Sequence, residues 1–144
     1  MKTMLATTRP ESSNSFSGLH QLTDGLVNGF LPEAASNNNV FINEIPDQLH
    51  LATDRHMLAS VLGGLLSAVV SYTKDSNIRL SAKIYGNVVL VQVKESTSFN
   101  SNAVESEVRK LQPLAEKMRG SVCITSQRKN ITTITFGFPN LPLS

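Results

Sequence analysis

The chain has 144 residues, of which 40% are hydrophobic, so it is long enough for one domain with a substantial core and short for two. Charged residues make up 17% of the sequence, and the formal net charge is only +2. This charge is too small to indicate binding to nucleic acid or to an acidic membrane surface. The single cysteine, Cys123, excludes an internal disulfide framework, and its place in the alternating run GSVCITS predicts a small core residue.

The sequence carries no signal for membrane insertion. No apolar stretch approaches the roughly 18–20 residues that span a bilayer, and the first 15 residues lack the apolar segment of a signal peptide. We therefore expect a soluble, cytoplasmic protein without direct membrane insertion, a description that also fits the cytoplasmic part of a membrane-anchored receptor. The same 15 residues are polar and include Pro10, a composition typical of a flexible segment.

Residues 16–30, from Phe16 to Phe30, are predicted to form a first, amphipathic helix, because apolar residues recur there at spacings of three and four. Asn14 or Ser15 would cap its start, and Pro32 would end it. Its glycines each cost about 1 kcal/mol relative to alanine, so the helix must pack against something to be stable. We expect it to contact a signalling protein or a second copy of the chain, which would make a homodimer.

The remainder of the chain alternates between strand and helix patterns. The run NVFINEI predicts a strand, and the apolar stripe over residues 54–72 predicts the main helix, whose first residue is an aspartate suited to the N-cap. Two alternating runs joined at residues 86–87, Gly-Asn, predict a hairpin. A second helix is expected over residues 102–118, kinked or divided by Pro113 and ended by Gly120. The run SVCITSQRKNITTITFGF would close the domain as another hairpin.

This order of elements, β-α-β-β-α-β-β, predicts an α/β protein built as a two-layer sandwich. Helices would cover one face of a mixed or mainly antiparallel sheet. We expect residues 1–38 to be a flexible N-terminal segment that carries the first helix, and residues 39–144 to form the folded domain.

The residue types that carry catalysis or bind metals are not arranged for either task. There is no glycine-rich phosphate loop, no His/Cys/Asp cluster at metal-ligand spacing and no nucleophile elbow. His50 and His56 flank the start of the main helix, and we interpret both as solvated or capping residues. Glu105 and Glu107 lie two apart on a helix and face different ways. We therefore predict no catalytic residue and no metal ligand.

Four strings of the sequence carry a resemblance to a known family through their order and spacing. LASVLGGLLSAVVSYT lies in the main helix, VVLVQVKES in the central strand, and LAEKMRGSVCITS with TTITFGFP at the C-terminal end. Between Val40 and Pro139 their arrangement is similar to that of the ATP-binding domain of sensor histidine kinases, in the superfamily that includes gyrase B, Hsp90 and MutL. The resemblance implies the histidine-kinase-like ATPase fold for residues 39–144, and in active members a pocket for ATP with Mg²⁺.

The resemblance also implies that three positions of the main helix would line that pocket. This sequence departs from the family at each of them. Ala68 stands where the family has the asparagine that coordinates Mg²⁺. Gly64 stands where kinases have asparagine and the ATPases their catalytic glutamate, and Ser71 replaces a lysine that contacts phosphate. Mg²⁺ needs oxygen ligands in near-octahedral geometry, which a methyl group cannot supply.

Four further positions correspond to the adenine site. Glu95 matches the aspartate that accepts a hydrogen bond from the adenine amino group, but it is longer by one methylene. Thr97 and Phe99 replace two glycines of the family, and Phe99 would occupy part of the adenine space. Thr132 matches a hydroxyl on the pocket floor and is the one pocket side chain retained. The ATP lid of the family is reduced here to a few residues. Glu105 and Glu107 stand in place of its glycines and would repel a triphosphate.

His20 lies upstream of this region, where the kinases carry a phospho-acceptor histidine. An acceptor usually has an acidic residue directly after it and a Thr-Pro pair four residues on. Gln21 follows here, and Thr23-Asp24 comes without proline. We interpret His20 as a surface or interface residue rather than a phospho-acceptor.

Two functional hypotheses follow from the sequence. The first is a non-catalytic histidine-kinase-like interaction or regulatory module in bacterial signalling, with a degraded pocket and no cofactor. The alternative is a divergent sensor histidine kinase domain that binds ATP with Mg²⁺ through Glu95 and Thr132. A site for a purine or another small ligand without metal is a weaker third option. Nucleic-acid binding is not expected, because no basic stripe interleaves with aromatic residues.

Overall fold

The computed structural model describes residues 17–95, 101–128 and 131–140. These residues form seven strands and three helices. The strands are β1 Ser17–Gly18, β2 Val40–Asn43, β3 His50–Leu51, β4 Asn77–Tyr85, β5 Val88–Glu95, β6 Ser121–Arg128 and β7 Ile131–Pro139. The helices are α1 Leu19–Ser36, α2 Arg55–Tyr72 and α3 Ser101–Lys117.

Five of the strands form one mixed sheet in the order β2-β4-β5-β7-β6. Strand β2 runs parallel to β4, and the other neighbours are antiparallel. The short strands β1 and β3 pair separately. Inward-facing residues of β4, β5 and β7 are buried in one cluster with residues of all three helices, whereas most outward-facing residues of β4 and β5 are exposed. The predicted two-layer α/β sandwich, with helices on one face of a mixed sheet, is therefore confirmed.

Helix α2 forms the centre of the core, as its apolar stripe predicts. Asp54 caps its start, because the carboxylate accepts hydrogen bonds from the backbone N–H groups of His56 and Met57 at 2.8 and 3.1 Å. The predicted β4–β5 hairpin is also present. Gly86 in its turn adopts φ +61°, the left-handed conformation that glycine enters at no steric cost.

Helix α1 is displaced relative to its prediction, since it begins at Leu19 and continues through Pro32 to Ser36. Proline removes one backbone donor and does not by itself end a helix whose last turn is held by other contacts. That turn is held here: Ala34 is buried, and Glu33 accepts a hydrogen bond from the Ser71 hydroxyl at 3.0 Å. The predicted caps, at residues 14 and 15, lie outside the described residues.

The predicted partner-binding face of α1 packs inside the chain itself. Leu19, Leu22 and Val27 belong to the core cluster, and Leu26 and Phe30 pack against it. Helix α2 thus supplies the contact that this weak helix needs. Contact of α1 with a signalling protein or a second copy stays a prediction. The division into residues 1–38 and 39–144 stays a prediction.

The end of α3 differs from its prediction in detail. The helix is continuous across the exposed Pro113 rather than divided. Arg119, not Gly120, takes the left-handed conformation, with φ +63°. The N–H groups of Arg119 and Gly120 donate to the carbonyls of Glu116 and Ala115, which is a Schellman motif. Gly120 serves the close packing of the next strand, because a Cβ atom there would overlap the carbonyl oxygen of Gly137.

Cys123 is exposed, so the expectation that it is a core residue is wrong. Strand alternation explains the difference, because the buried neighbour Val122 takes the inward position and Cys123 pairs with Thr135 on the outward side.

Among the described residues, no helix has the length and apolar character needed to cross a bilayer.

Gly120→Ala is expected to lower the free energy of unfolding by about 1–3 kcal/mol, because the added methyl group collides with backbone that cannot move easily. Gly25→Ala is the matched control: no atom lies within 4 Å of a Cβ at this helical position, so about 0.5–1 kcal/mol of stabilisation is expected. Urea denaturation of the two variants measures both values. Equal stabilisation by the two substitutions would contradict this account of Gly120.

Candidate functional site

Helix α3 packs across helix α2 at Gly64, the position that corresponds to asparagine or glutamate in the resembling families. The side chain of Leu111 lies directly over this glycine. A Cβ atom on Gly64 would overlap Leu111 Cδ2 and would lie 3.2 Å from Cδ1 and 3.3 Å from Cγ. Leu111 also packs against the hydrophobic core. The space in which a polar side chain at position 64 would extend is therefore filled with hydrocarbon.

The other two predicted pocket positions of α2 point to different surroundings. Ala68 is buried in the core, at 4% exposure. Ser71 is exposed, and its hydroxyl donates to the Glu33 carboxylate of helix α1. The three positions therefore carry a hydrogen atom at Gly64, a methyl group at Ala68 and, at Ser71, a hydroxyl that already bonds to Glu33. This donor set does not fit Mg²⁺, which proteins hold through carboxylate and similar oxygen ligands.

Glu95 and Thr132 are brought together by the sheet. They lie directly opposite each other on the neighbouring strands β5 and β7, and both are buried. Glu95 is only 1% exposed, so its carboxylate belongs to the interior rather than to an open cleft. Thr97 and Phe99, which complete the predicted adenine site, lie outside the described residues.

A chain of hydrogen bonds ties Glu95 to the turns at one end of the sheet. The Ser76 hydroxyl donates a hydrogen bond to the Glu95 carboxylate at 2.9 Å. The backbone N–H of Ser76 donates one to the side-chain oxygen of Asn39 at 3.1 Å. The amide of Asn39 donates to the carbonyl and the hydroxyl of Thr73, both at 3.1 Å. The Thr73 hydroxyl in turn donates to the carbonyl of Val69 at 2.8 Å.

This network stabilises one oxygen of the buried carboxylate, Oε1, since a buried charged or polar group is costly unless it is hydrogen-bonded. It also connects the α1–β2 turn with the α2–β4 turn. The sequence prediction did not include Asn39, because the run SNNN is typical of a loop, and it did not include Ser76 in the run TKDSN. The signal available in the sequence is three consecutive amides directly after a helix, since amide side chains there can cap neighbouring backbone.

The two glutamates at the lid positions each form an ion pair along α3. Glu105 lies 3.2 Å from Arg109, and Glu107 lies 3.1 Å from Lys110. These pairs are exposed and contribute little to stability. They do reduce the net negative charge at this end of the helix, so the repulsion of phosphate expected from the sequence is weaker than two isolated carboxylates would give.

The His20 side chain joins the start of α1 to the segment after β2. Its Nδ1 donates to the carbonyl of Ile45 at 2.6 Å, and its Nε2 lies 3.3 Å from Asp24 and 3.5 Å from Asp47. The ring is thus engaged on both sides within the chain. Among the described residues, no group of three or more His, Cys, Asp or Glu side chains is arranged to hold a metal ion.

Two cavities lined by described residues lie away from the predicted pocket positions. One, of about 250 Å³, lies between α3 and β6 and is lined by Val108, Gln112 and Val122 among others. The other, of about 510 Å³, lies at one end of the sheet beside Gly137 and Pro139. Neither is lined by the five described pocket positions.

The fold is that of histidine kinase catalytic domains. The catalytic domain of histidine kinase ThkA superposes with a TM-score of 0.71 at 18% identity, covering 88% of this chain and 95% of that one. Acinetobacter baumannii histidine kinase AdeS gives a TM-score of 0.74 at 9% identity, with 87% and 67% covered. ThkA in complex with the response regulator protein TrrA gives 0.69 at 17% identity, with 87% and 41% covered. No protein-family model and no curated protein sequence matches the chain.

Gly64→Ala is expected to be destabilising by about 1–3 kcal/mol relative to Gly63→Ala, because only the former meets Leu111. Gly63 is the matched control on the next residue, where the nearest atom to a Cβ would be 3.9 Å away. In a Leu111→Ala background the two substitutions should have equal effects on the free energy of unfolding. A double-mutant cycle by urea denaturation measures this coupling, and additivity would contradict the contact.

Asn39→Ala is expected to lower the free energy of unfolding by about 2–3 kcal/mol, because it removes the hydrogen bonds that the buried Asn39 side chain makes with the Ser76 N–H and with the carbonyl and hydroxyl of Thr73. Asn38→Gly is the control. Asn38 has φ +57°, which glycine adopts freely, and its side chain donates a hydrogen bond to Asp75 at the surface. A change within about 0.5 kcal/mol is expected there. Similar chemical denaturation midpoints for the two variants would show that the network is not structural.

Proposed function

We propose that this chain is a non-catalytic histidine-kinase-like domain that acts as an interaction or regulatory module in bacterial signal transduction. The observation that carries the proposal is the contact of Leu111 with Gly64. In the resembling kinases this helix position bears a polar side chain of the nucleotide site. Here a leucine of α3 fills the space beside it, and Ala68 offers no oxygen to a metal ion.

The state of Glu95 supports the same proposal. An adenine-binding carboxylate must present an acceptor to the base, whereas this carboxylate accepts from Ser76 and is 1% exposed. Opening the site to a base would have to break a buried hydrogen bond and expose the core around it. The network therefore favours a structural role for Glu95.

A signalling protein is the proposed partner. ThkA, which shares this fold, has been solved in complex with the response regulator protein TrrA. A domain that keeps the fold without the nucleotide could retain a protein-binding surface and lose the chemistry. We place this module in the cytoplasm, as the composition of the chain favours, and we do not assign the contact to the apolar face of α1.

A divergent ATP-binding histidine kinase domain is the second candidate. The observation in its favour is that Glu95 and Thr132 face each other in register on adjacent strands, on the side of the sheet that the helices cover. Such a domain would bind adenine through these two side chains and would need phosphate ligands other than those of α2. The two candidates differ in whether Mg·ATP binds.

Titration of Mg·ATP and Mg·ADP into the full chain, by calorimetry and thermal shift, is expected to give neither heat nor stabilisation. A ligand present at 100 times its Kd would stabilise the fold by about 2.7 kcal/mol, which is easily seen as a higher Tm. Mg²⁺-dependent binding with a millimolar or lower Kd would overturn the first candidate. If binding occurs, Glu95→Ala must abolish it for the second candidate to stand, and Glu105→Ala serves as the surface control.

A further inference from the structure

The open face of the sheet, meaning the outward side of β4, β5 and β7, is cationic. Arg79, Lys83 and Lys94 project from it and are exposed. The one carboxylate of β4 and β5 is Glu95, and it points inward. The Glu44 carboxylate at the edge lies 2.7 Å from Arg79 and offsets part of this charge. Among the described residues, no ion pair neutralises either lysine.

Folding does not account for this arrangement of charges. Arg79 and Lys94 stand directly opposite each other on antiparallel strands, and like charges in that position are destabilising. A carboxylate at position 94 would instead form a favourable cross-strand pair with Arg79. The pair of Arg79 and Lys94 is thus unfavourable within the sheet itself, and a ligand of opposite charge on this face would offset the repulsion.

One end of the open face is largely apolar and carries a shallow, open depression. Tyr85 and Val88 face each other beside the hairpin turn and are 58% and 43% exposed. The cavity of about 510 Å³ lies next to them, and we name it the Gly137 groove. Its walls are Val88, Leu90 and Pro139, and Ser121 and Arg119 stand at its rim. The groove exists because Gly137 has no side chain: a Cβ there would come within 3.0 Å of Leu90.

Arg119 adds a second feature that folding does not explain. It holds the left-handed conformation at the end of α3, a position where glycine is the usual residue and any other side chain is strained. Arginine there places a cation beside the Gly137 groove. Lys83 stands on the other side, opposite Leu90 in the sheet. An apolar groove between two cations matches a segment with an apolar side chain flanked by carboxylates.

We propose that the open face is the docking surface for an acidic protein segment whose apolar side chain enters the Gly137 groove. This inference rests on the proposed function, since it supplies the contact surface of the interaction module. A second copy of the chain does not fit, because a two-fold contact through this face would bring like charges together. Nucleic acid does not fit either, because the largely apolar end has no counterpart in a phosphate backbone.

Selection from a displayed library of random peptides of about twelve residues, on the immobilised full chain, tests the proposal. Peptides that combine Asp or Glu with a central Leu, Phe or Trp should be enriched. The best of them, made synthetically with a fluorescent label, should bind at least about tenfold more weakly to Lys83→Glu/Lys94→Glu and to Gly137→Val. Selection of basic or uncharged sequences, or equal binding to the variants, would overturn the proposal.

Two variants separate loss of the surface from loss of the fold. Lys83→Glu/Lys94→Glu removes the repulsion with Arg79, and Arg119→Gly relieves the left-handed arginine, so neither should lower Tm while both weaken the peptide complex. Tighter binding of a single-stranded oligonucleotide than of the peptide at equal salt would overturn the proposal. Self-association abolished by the same lysine substitutions would also overturn it. Failure here together with no nucleotide binding would leave the proposed function standing.

Discussion

The packing of Leu111 on Gly64 is the contact on which the rest of this molecule depends. It brings α3 directly onto α2, and α2 is the helix around which the core assembles. Glycine is unfavourable in a helix by about 1 kcal/mol relative to alanine, so its presence in α2 needs a compensating contact. The close approach of α3 supplies it. The same approach removes the space that a polar side chain would need at this point in the fold.

The buried carboxylate of Glu95 is the second constraint. The hydrogen bond that it accepts from Ser76 continues through Asn39 to Thr73. The network therefore fixes the end of α2, the start of β2 and the end of β5 relative to one another. Hydrogen bonds between buried polar groups add rigidity and specificity to a fold. The position that the resemblance assigns to adenine recognition thus has a sufficient structural explanation in this chain.

The sequence predicted the parts of the structure that local patterns encode. The periodicity and the capping aspartate of α2, and the Gly-Asn turn of the β4–β5 hairpin, are signals within a few residues of one another, and both predictions are confirmed. The Leu111–Gly64 contact and the Asn39 network join segments distant in the chain, so no local pattern contains them. The continuation of helix α1 beyond Pro32 also depends on a contact between distant segments. The last turn of α1 is held by contacts with α2.

Amide chemical shifts of the full chain in Mg·ADP test most directly whether the domain is independent of nucleotide. We expect that the resonances of Gly64, Ser71 and Glu95 do not move at nucleotide concentrations on the order of 10 mM, which would saturate a millimolar site. Saturable, Mg²⁺-dependent shifts confined to these residues and Leu111 would contradict it. They would show that α3 moves away from α2 to admit a nucleotide.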